Sequence, residues 1–199
     1  VEGGKTSTCP TQNLMEAYDM KDGTPFVWNN QSNPYDNRDP RMKYTIVCNE
    51  MKWPVDPVEI WEGGTNGLPL QNATTTGYYL KKYVNNTISF EAGSTVTKKQ
   101  HNWVLFRYGE ILLNYAQAMI NAFHDPNYKD AVYNMSAREA VNQIRGRTNI
   151  SLPGFPSDIT EKDFVKRLKN ERRVELAFEG HRFWDVRRWK ELGQTANIY

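Results

Sequence analysis

Three tryptophans in polar loops, Trp28, Trp53 and Trp61, are the side chains best suited to hold a ligand. A large ring in a loop either plugs the edge of a core or stands out to meet a partner. Sugar rings carry apolar C–H faces that stack on such rings. Asn29 and Asn30 follow Trp28 directly and add amide hydrogen-bonding groups. The candidate ligand-binding set is therefore Trp28, Trp53, Trp61, Asn29 and Asn30. For any one tryptophan taken alone, the core plug is the plainer reading.

Catalytic constellations are weaker. Asp56, Glu59 and Glu62 lie in one loop-strand region and have the chemistry of a glycosidase pair. The simpler reading is solvated surface charge. His101, His124 and His181 are far apart, and none has a zinc spacing such as His-x-x-x-His. There is no Gly-x-Ser-x-Gly elbow. Asn33 to Asp39 is rich in oxygen ligands but lacks the central Gly and closing Glu of a calcium loop. It reads as a turn whose side chains cap their own backbone. Gly63-Gly-Thr-Asn-Gly67 is followed by neither Gly-Lys-Ser/Thr nor a helix, so it is no phosphate loop. No catalytic residue, metal ligand or cofactor site is assigned.

The elements that position these residues follow from 199 residues with 39% hydrophobic and 13% aromatic content. That is enough to bury a core, because aromatics carry much area per residue. A net charge of +2 with both signs mixed leaves no footprint for nucleic acid. No apolar run reaches the length of a membrane span. Cys9 and Cys48 make either one bridge or two thiols. In the first half, Pro10 to Met20 reads as a short helix capped by Thr11. Lys21 to Pro25 reads as a turn. Met42–Val47 and Val58–Trp61 read as short strands, and Gly77–Val84 as a third strand or an irregular extended segment.

The second half reads as helices. Trp103 to Phe123 carries Leu105, Ile111, Leu112, Tyr115, Ala116, Met119 and Phe123 on one stripe, and Asp125-Pro126 ends it. Ser136 and Glu139 form a capping box for a second helix, with Ala137, Val141 and Ile144 inward and Gly146 near its end. Thr160 caps a third, with Phe164, Leu168 and Leu176 on its face. Glu171 to Lys190 concentrates charge around Phe178, Phe183, Trp184 and Trp189. It reads as half-buried, as two helices meeting near Gly180. Its Glu175, Glu179, Arg182, Asp185 and Arg188 read as ion pairs that lock it to the Trp103–Phe123 helix. From Thr160 to Lys190 ten bases face six acids, interleaved rather than segregated.

Two segments resemble the SusD/RagB family of Bacteroidetes. They are Arg107-Tyr-Gly-Glu-Ile-Leu-Leu-Asn-Tyr-Ala-Gln-Ala118 and Glu171-Arg-Arg-Val-Glu-Leu-Ala-Phe-Glu-Gly-His-Arg-Phe-Trp-Asp-Val-Arg-Arg-Trp-Lys190. Pro10 to Gly23, Asn33 to Arg41, Gly77 to Lys82 and Val141 to Arg147 agree. Gly109 stands where Ala is usual, and Met119-Ile-Asn-Ala122 replaces the usual Asn-Glu-Ala. The resemblance implies a mainly α fold of tetratricopeptide-like helical hairpins packed with an irregular, loop-rich region carrying a few short β-strands. Residues 1–102 would be the loop-rich region and 103–199 the helical one, together a single domain truncated at both ends. It also implies an outer-membrane lipoprotein, anchored outside this fragment. Such a protein captures glycan nutrients and closes over a SusC-like TonB-dependent transporter, doing no chemistry. The family's glycan contacts vary and carry no motif, and aromatics are common at the three tryptophan positions, which favours a structural role for each. The alternatives are a helical protein-interaction module without its own glycan site, and a glycoside hydrolase.

Overall fold

A computed structural model describes residues 8–28, 33–88, 99–102 and 104–195. The chain groups into two compact units, one of residues 1–15, 42–103 and 197–199, the other of residues 16–41 and 104–196. The elements run α1 (Gln12–Ala17), α2 (Pro40–Thr45), β1 (Ile46–Val47), β2 (Tyr79–Leu80), α3 (Tyr108–Phe123), α4 (Ala137–Arg145), α5 (Glu161–Glu175) and α6 (His181–Arg188). A short 3₁₀ turn follows at Leu192–Thr195. The fold is mainly helical, as the sequence implies.

The first unit is loop-rich. β1 and β2 pair antiparallel, with Ile46 opposite Leu80 and Val47 opposite Tyr79. Val47, Val58 and Ile60 form its small core, with Met51, Trp53 and Tyr79 against it. The Tyr79 hydroxyl donates to the Asn66 carbonyl at 2.5 Å and accepts from the Thr74 N–H at 3.1 Å, so one ring ties two loops to the sheet. Cys48 is buried, Cys9 is half-buried, and no disulfide joins them.

Two strand expectations change. Met42–Val47 is helical up to Thr45, and only Ile46–Val47 pair as strand. Pro40 explains this, since its fixed φ suits the first turn of a helix. Asp39 Oδ1 accepts from the Arg41 N–H at 2.9 Å, which fixes that turn. Val58–Trp61 forms no strand, although Val58 exchanges backbone bonds with Glu50 and Met51 (2.8 and 3.0 Å).

The second unit is built on α3, α4 and α5. Leu112, Leu113, Ala116, Met119 and Ile120 from α3 meet Ala137, Ala140, Val141 and Ile144 from α4, and Phe155, Phe164, Leu168 and Leu176 close the cluster. Helix α3 begins five residues later than expected, at Tyr108, after Arg107 in extended conformation. Leu105 lies outside the helix and is 78% exposed. Ile111 is also exposed, because the buried face passes through Leu113 and Ile120 instead. His124, left-handed at φ 55°, ends the helix just before Asp125-Pro126.

Both arms of the α4 capping box form. Glu139 N–H donates to Ser136 Oγ at 3.1 Å, and Ser136 N–H to Glu139 Oε2 at 2.8 Å. Asn142 brackets the Phe155 backbone through Oδ1 (2.7 Å) and Nδ2 (3.3 Å), which holds the Leu152–Pro156 connector on the helix. Thr160 caps α5 by accepting from the Asp163 N–H. Phe178 and Gly180, both at positive φ, make the turn into α6. On α6, Phe183 and Trp184 are 53% and 67% exposed, not half-buried as their charged surroundings imply.

Ser136→Ala removes one arm of the box and strands a helix donor. It is expected to cost about 1 kcal/mol. Urea unfolding checks this, and an unchanged midpoint would show that the cap does not contribute.

Candidate functional site

The densest polar construction in the second unit is an ion network on α5. Glu171 and Glu175 stand one turn apart on the same face. Arg41 Nη1 donates to Glu171 Oε1 at 2.5 Å and to Glu175 Oε2 at 2.9 Å. Asp39 holds the other edge of that guanidinium at 2.7 Å. Arg145, fully buried, donates to Glu171 at 2.7 Å. Arg107 and Arg147 reach Glu175 at 2.7 and 2.8 Å, and Arg107 also reaches Glu179 at 2.8 Å. On the next turn Arg172 pairs with Asp185 at 2.8 Å, and Arg188 pairs with the same carboxylate at 3.0 Å.

Burial pushes the Glu175 carboxyl up, but Arg41, Arg107 and Arg147 outweigh it and hold its pKa at about 2. Glu171 is held low in the same way, with Arg41 and Arg145 overcoming its burial. Gly109 makes room for this. A methyl group there would meet Arg107 Nη1 at 2.7 Å and Glu175 Oε1 at 3.2 Å. The network locks the C-terminal helices as expected, but with different partners. Arg41, Arg145 and Arg147 carry it, and Arg182 makes no direct ion pair within it.

Arg182 lies elsewhere, in a cleft of about 630 Å³ lined by Glu16, Asp19, Phe26, Arg167, Lys169, Arg173 and Arg182 among others. The 16–28 segment is pinned over α5 by Asn170 Nδ2 on the Ala17 carbonyl (2.7 Å) and Arg167 Nη2 on the Gly23 carbonyl (2.9 Å). Trp28 extends from that segment and is 53% exposed. Its Nε1–H donates to Glu16 at 2.6 Å, and its ring meets Phe26 edge-on at 5.2 Å.

Trp53 and Trp61 belong to the first unit. Trp53 packs on Val47, Val58 and Ile60, with Lys81 Nζ 4.7 Å from its ring centre. Trp61 is 48% exposed. Asn29 and Asn30 lie outside the described residues. The histidines stay separate. His124 pairs with Glu161 at 2.6 Å, His181 stands 3.6 Å from Glu110, and His101 meets Tyr83 edge-on. Glu59 accepts from the Thr65 hydroxyl at 2.9 Å. Asn33 Oδ1 accepts from the Tyr35 N–H at 2.9 Å, a self-capping turn. No helix among the described residues is long and apolar enough to cross a membrane.

The SusD family model matches residues 2–199. The chain belongs to the SusD family. The SusD-like protein P38 of Formosa agariphila is 36% identical over 91 residues, which is 43% of this chain and 16% of that one. A SusD-like carbohydrate binding protein from Bacteroides fragilis is 28% identical, with a TM-score of 0.70 over 91% of this chain. A second SusD-like protein from the same organism is 29% identical, with a TM-score of 0.72 over 92% of this chain. The chain spans 35% and 36% of those two structures.

In this SusD-family chain, Arg173 is a cleft residue that sequence reading did not single out, and Arg182, read as a member of the ion network, lines the cleft with it.

Glu175→Ala leaves Arg41, Arg107 and Arg147 short of a counter-ion and is expected to cost about 3–5 kcal/mol. The folded pKa of Glu175 lies below the ordinary 4.5, so its contribution is whole above that pH and fades as pH falls towards 2. Acid unfolding of Glu175→Ala should therefore be shallower across that window. Parallel acid branches for the two proteins would contradict the assignment.

Proposed function

We propose that this chain is part of a non-catalytic protein that binds oligosaccharide at the cell surface for a SusC-like TonB-dependent outer-membrane transporter. What supports this is membership of the SusD family over residues 2–199. A carbohydrate-binding protein of Bacteroides fragilis shares the fold over 91% of this chain. A lipid anchor would hold that protein in the outer membrane. The candidate ligand residues are Trp28 with Asn29 and Asn30 in one unit and, separately, Trp53 and Trp61 in the other. Trp28 and Trp61 have open ring faces suited to sugar C–H faces, and the core contacts of Trp53 give it a second, supporting role. Nothing in the carboxylate arrangement favours hydrolysis over surface charge.

A protein-interaction role has one observation behind it. Phe183 and Trp184 stand exposed side by side on α6, their rings 5.0 Å apart and edge-on. Such exposed rings suit a protein contact. The two readings meet in the transporter, which is itself a protein partner.

Calorimetry of the full-length protein against a panel of oligosaccharides is the test. Trp28→Ala and Trp61→Ala should each weaken binding by more than about 1 kcal/mol with melting temperature unchanged. Turnover of any oligosaccharide would overturn the non-catalytic reading. Unchanged affinity with a lowered melting temperature would assign the rings to packing.

A further inference from the structure

Ten of the twelve arginines donate a hydrogen bond to a described residue. Arg173 and Arg182 make no hydrogen bond or ion pair among the described residues, and both line the same cleft. Arg173 comes from the last turn of α5 and Arg182 from the first turn of α6. Both are half-buried. Two guanidiniums brought together with no directly bonded counter-ion repel one another, and their partial burial makes the repulsion stronger.

The surrounding carboxylates offset this only from a distance, Glu16 acting on Arg173 and Glu191 and Asp185 on Arg182, with no direct bond among the described residues. Glu16 accepts from the Trp28 indole at 2.6 Å. Asp19 faces Arg145 and Arg167 at 3.3 and 3.7 Å. Glu191 takes Lys169 at 2.6 Å. Lys162 and Lys166 add two further positive charges to the walls. Burial, reinforced by Arg182, pulls the Arg173 pKa down to about 10. An anion between the pair would reverse that. A guanidinium offers a planar fork of donors that fits a carboxylate or a sulfate in two-point fashion.

The exposed ring of Trp28 is tethered to two walls of this cleft, through Glu16 and Phe26. An apolar stacking face and a cationic pair with no directly bonded carboxylate thus share one segment and the helices beneath it. We infer that the cleft binds an oligosaccharide bearing an anionic substituent, a carboxylate or a sulfate ester, held by Arg173 and Arg182 while a sugar ring stacks on Trp28. This rests on the carbohydrate reading above and names the class of saccharide. A neutral hydroxyl could occupy the cleft but would leave the two charges facing each other.

The test is calorimetry on the full-length protein with a uronate oligosaccharide, a sulfated one, their neutral counterpart of equal length, and inorganic sulfate. One of the charged ligands should bind about tenfold or more tightly than the neutral one, with affinity falling as salt rises. Which one does so identifies the substituent. Arg173→Gln and Arg182→Gln should each remove most of that advantage and leave neutral binding and melting temperature unchanged. Equal affinity for charged and neutral ligands overturns this inference and leaves carbohydrate binding standing. So do variants that bind the charged ligand as the parent does, or inorganic sulfate binding as tightly as the saccharide. Failure of every saccharide to bind overturns the carbohydrate reading as well.

Discussion

The helical unit depends on two carboxylates, Glu171 and Glu175, that are buried without being lost to protonation. Taking a carboxylate out of water costs several kcal/mol, and only well-placed cations offset that cost. Arg41 bridges both groups through one nitrogen, Arg145 holds Glu171, and Arg107 and Arg147 hold Glu175. The residues that deliver these cations come from the 39–41 turn, the approach to α3, and the end of α4. Each of those segments is therefore fixed to α5 by charge as well as by packing. Small features serve the same end. At Gly109 a methyl group would meet the Arg107 guanidinium, and the glycine leaves that space open. Asp39 aligns Arg41 from behind and also shapes the first turn of its helix.

Against that background the cleft is the exception. Elsewhere the protein matches its arginines with carboxylates, amides or carbonyls. At Arg173 and Arg182 it brings two together with no direct hydrogen bond or ion pair to either among the described residues. The neighbouring indole of Trp28 is similarly placed, with its polar edge satisfied by Glu16 and its ring left open.

Local chemistry was the legible part. The Ser136–Glu139 box, the Thr160 cap, the stop at Asp125-Pro126 and the break near Gly180 depend on neighbours in sequence and stand where the residues place them. Misreadings arose where two local signals competed. Alternation from Lys43 to Cys48 suggested a strand, but Pro40 with Asp39 had already set a helical turn. Leu105 continues the stripe of α3 back towards Trp103, yet Arg107 is extended and Leu105 lies outside the helix. What sequence could not show was distance. Nothing about Arg41 announces a partner at Glu175, and nothing in the loops of Trp28 and Trp53 says that only one packs on Val47, Val58 and Ile60. The family motif at Glu171–Lys190 was legible as a block, while the role of each charge in it was not. Arg172 joins the network and the adjacent Arg173 does not.

The long reach of the network has a consequence during synthesis. Arg41 and Glu171 are 130 residues apart. At about 5–20 residues per second, that interval is on the order of 10 s on a ribosome. Throughout it, the 39–41 turn must wait with its guanidinium solvated and its helical turn unsupported. The short-range structure of α3 and α4 can form in that time, since helices assemble in microseconds. Closure of the unit cannot. Helix α5, which supplies Glu171 and Glu175, is made after α3 and α4, so the unit commits to its final arrangement only when these charges arrive.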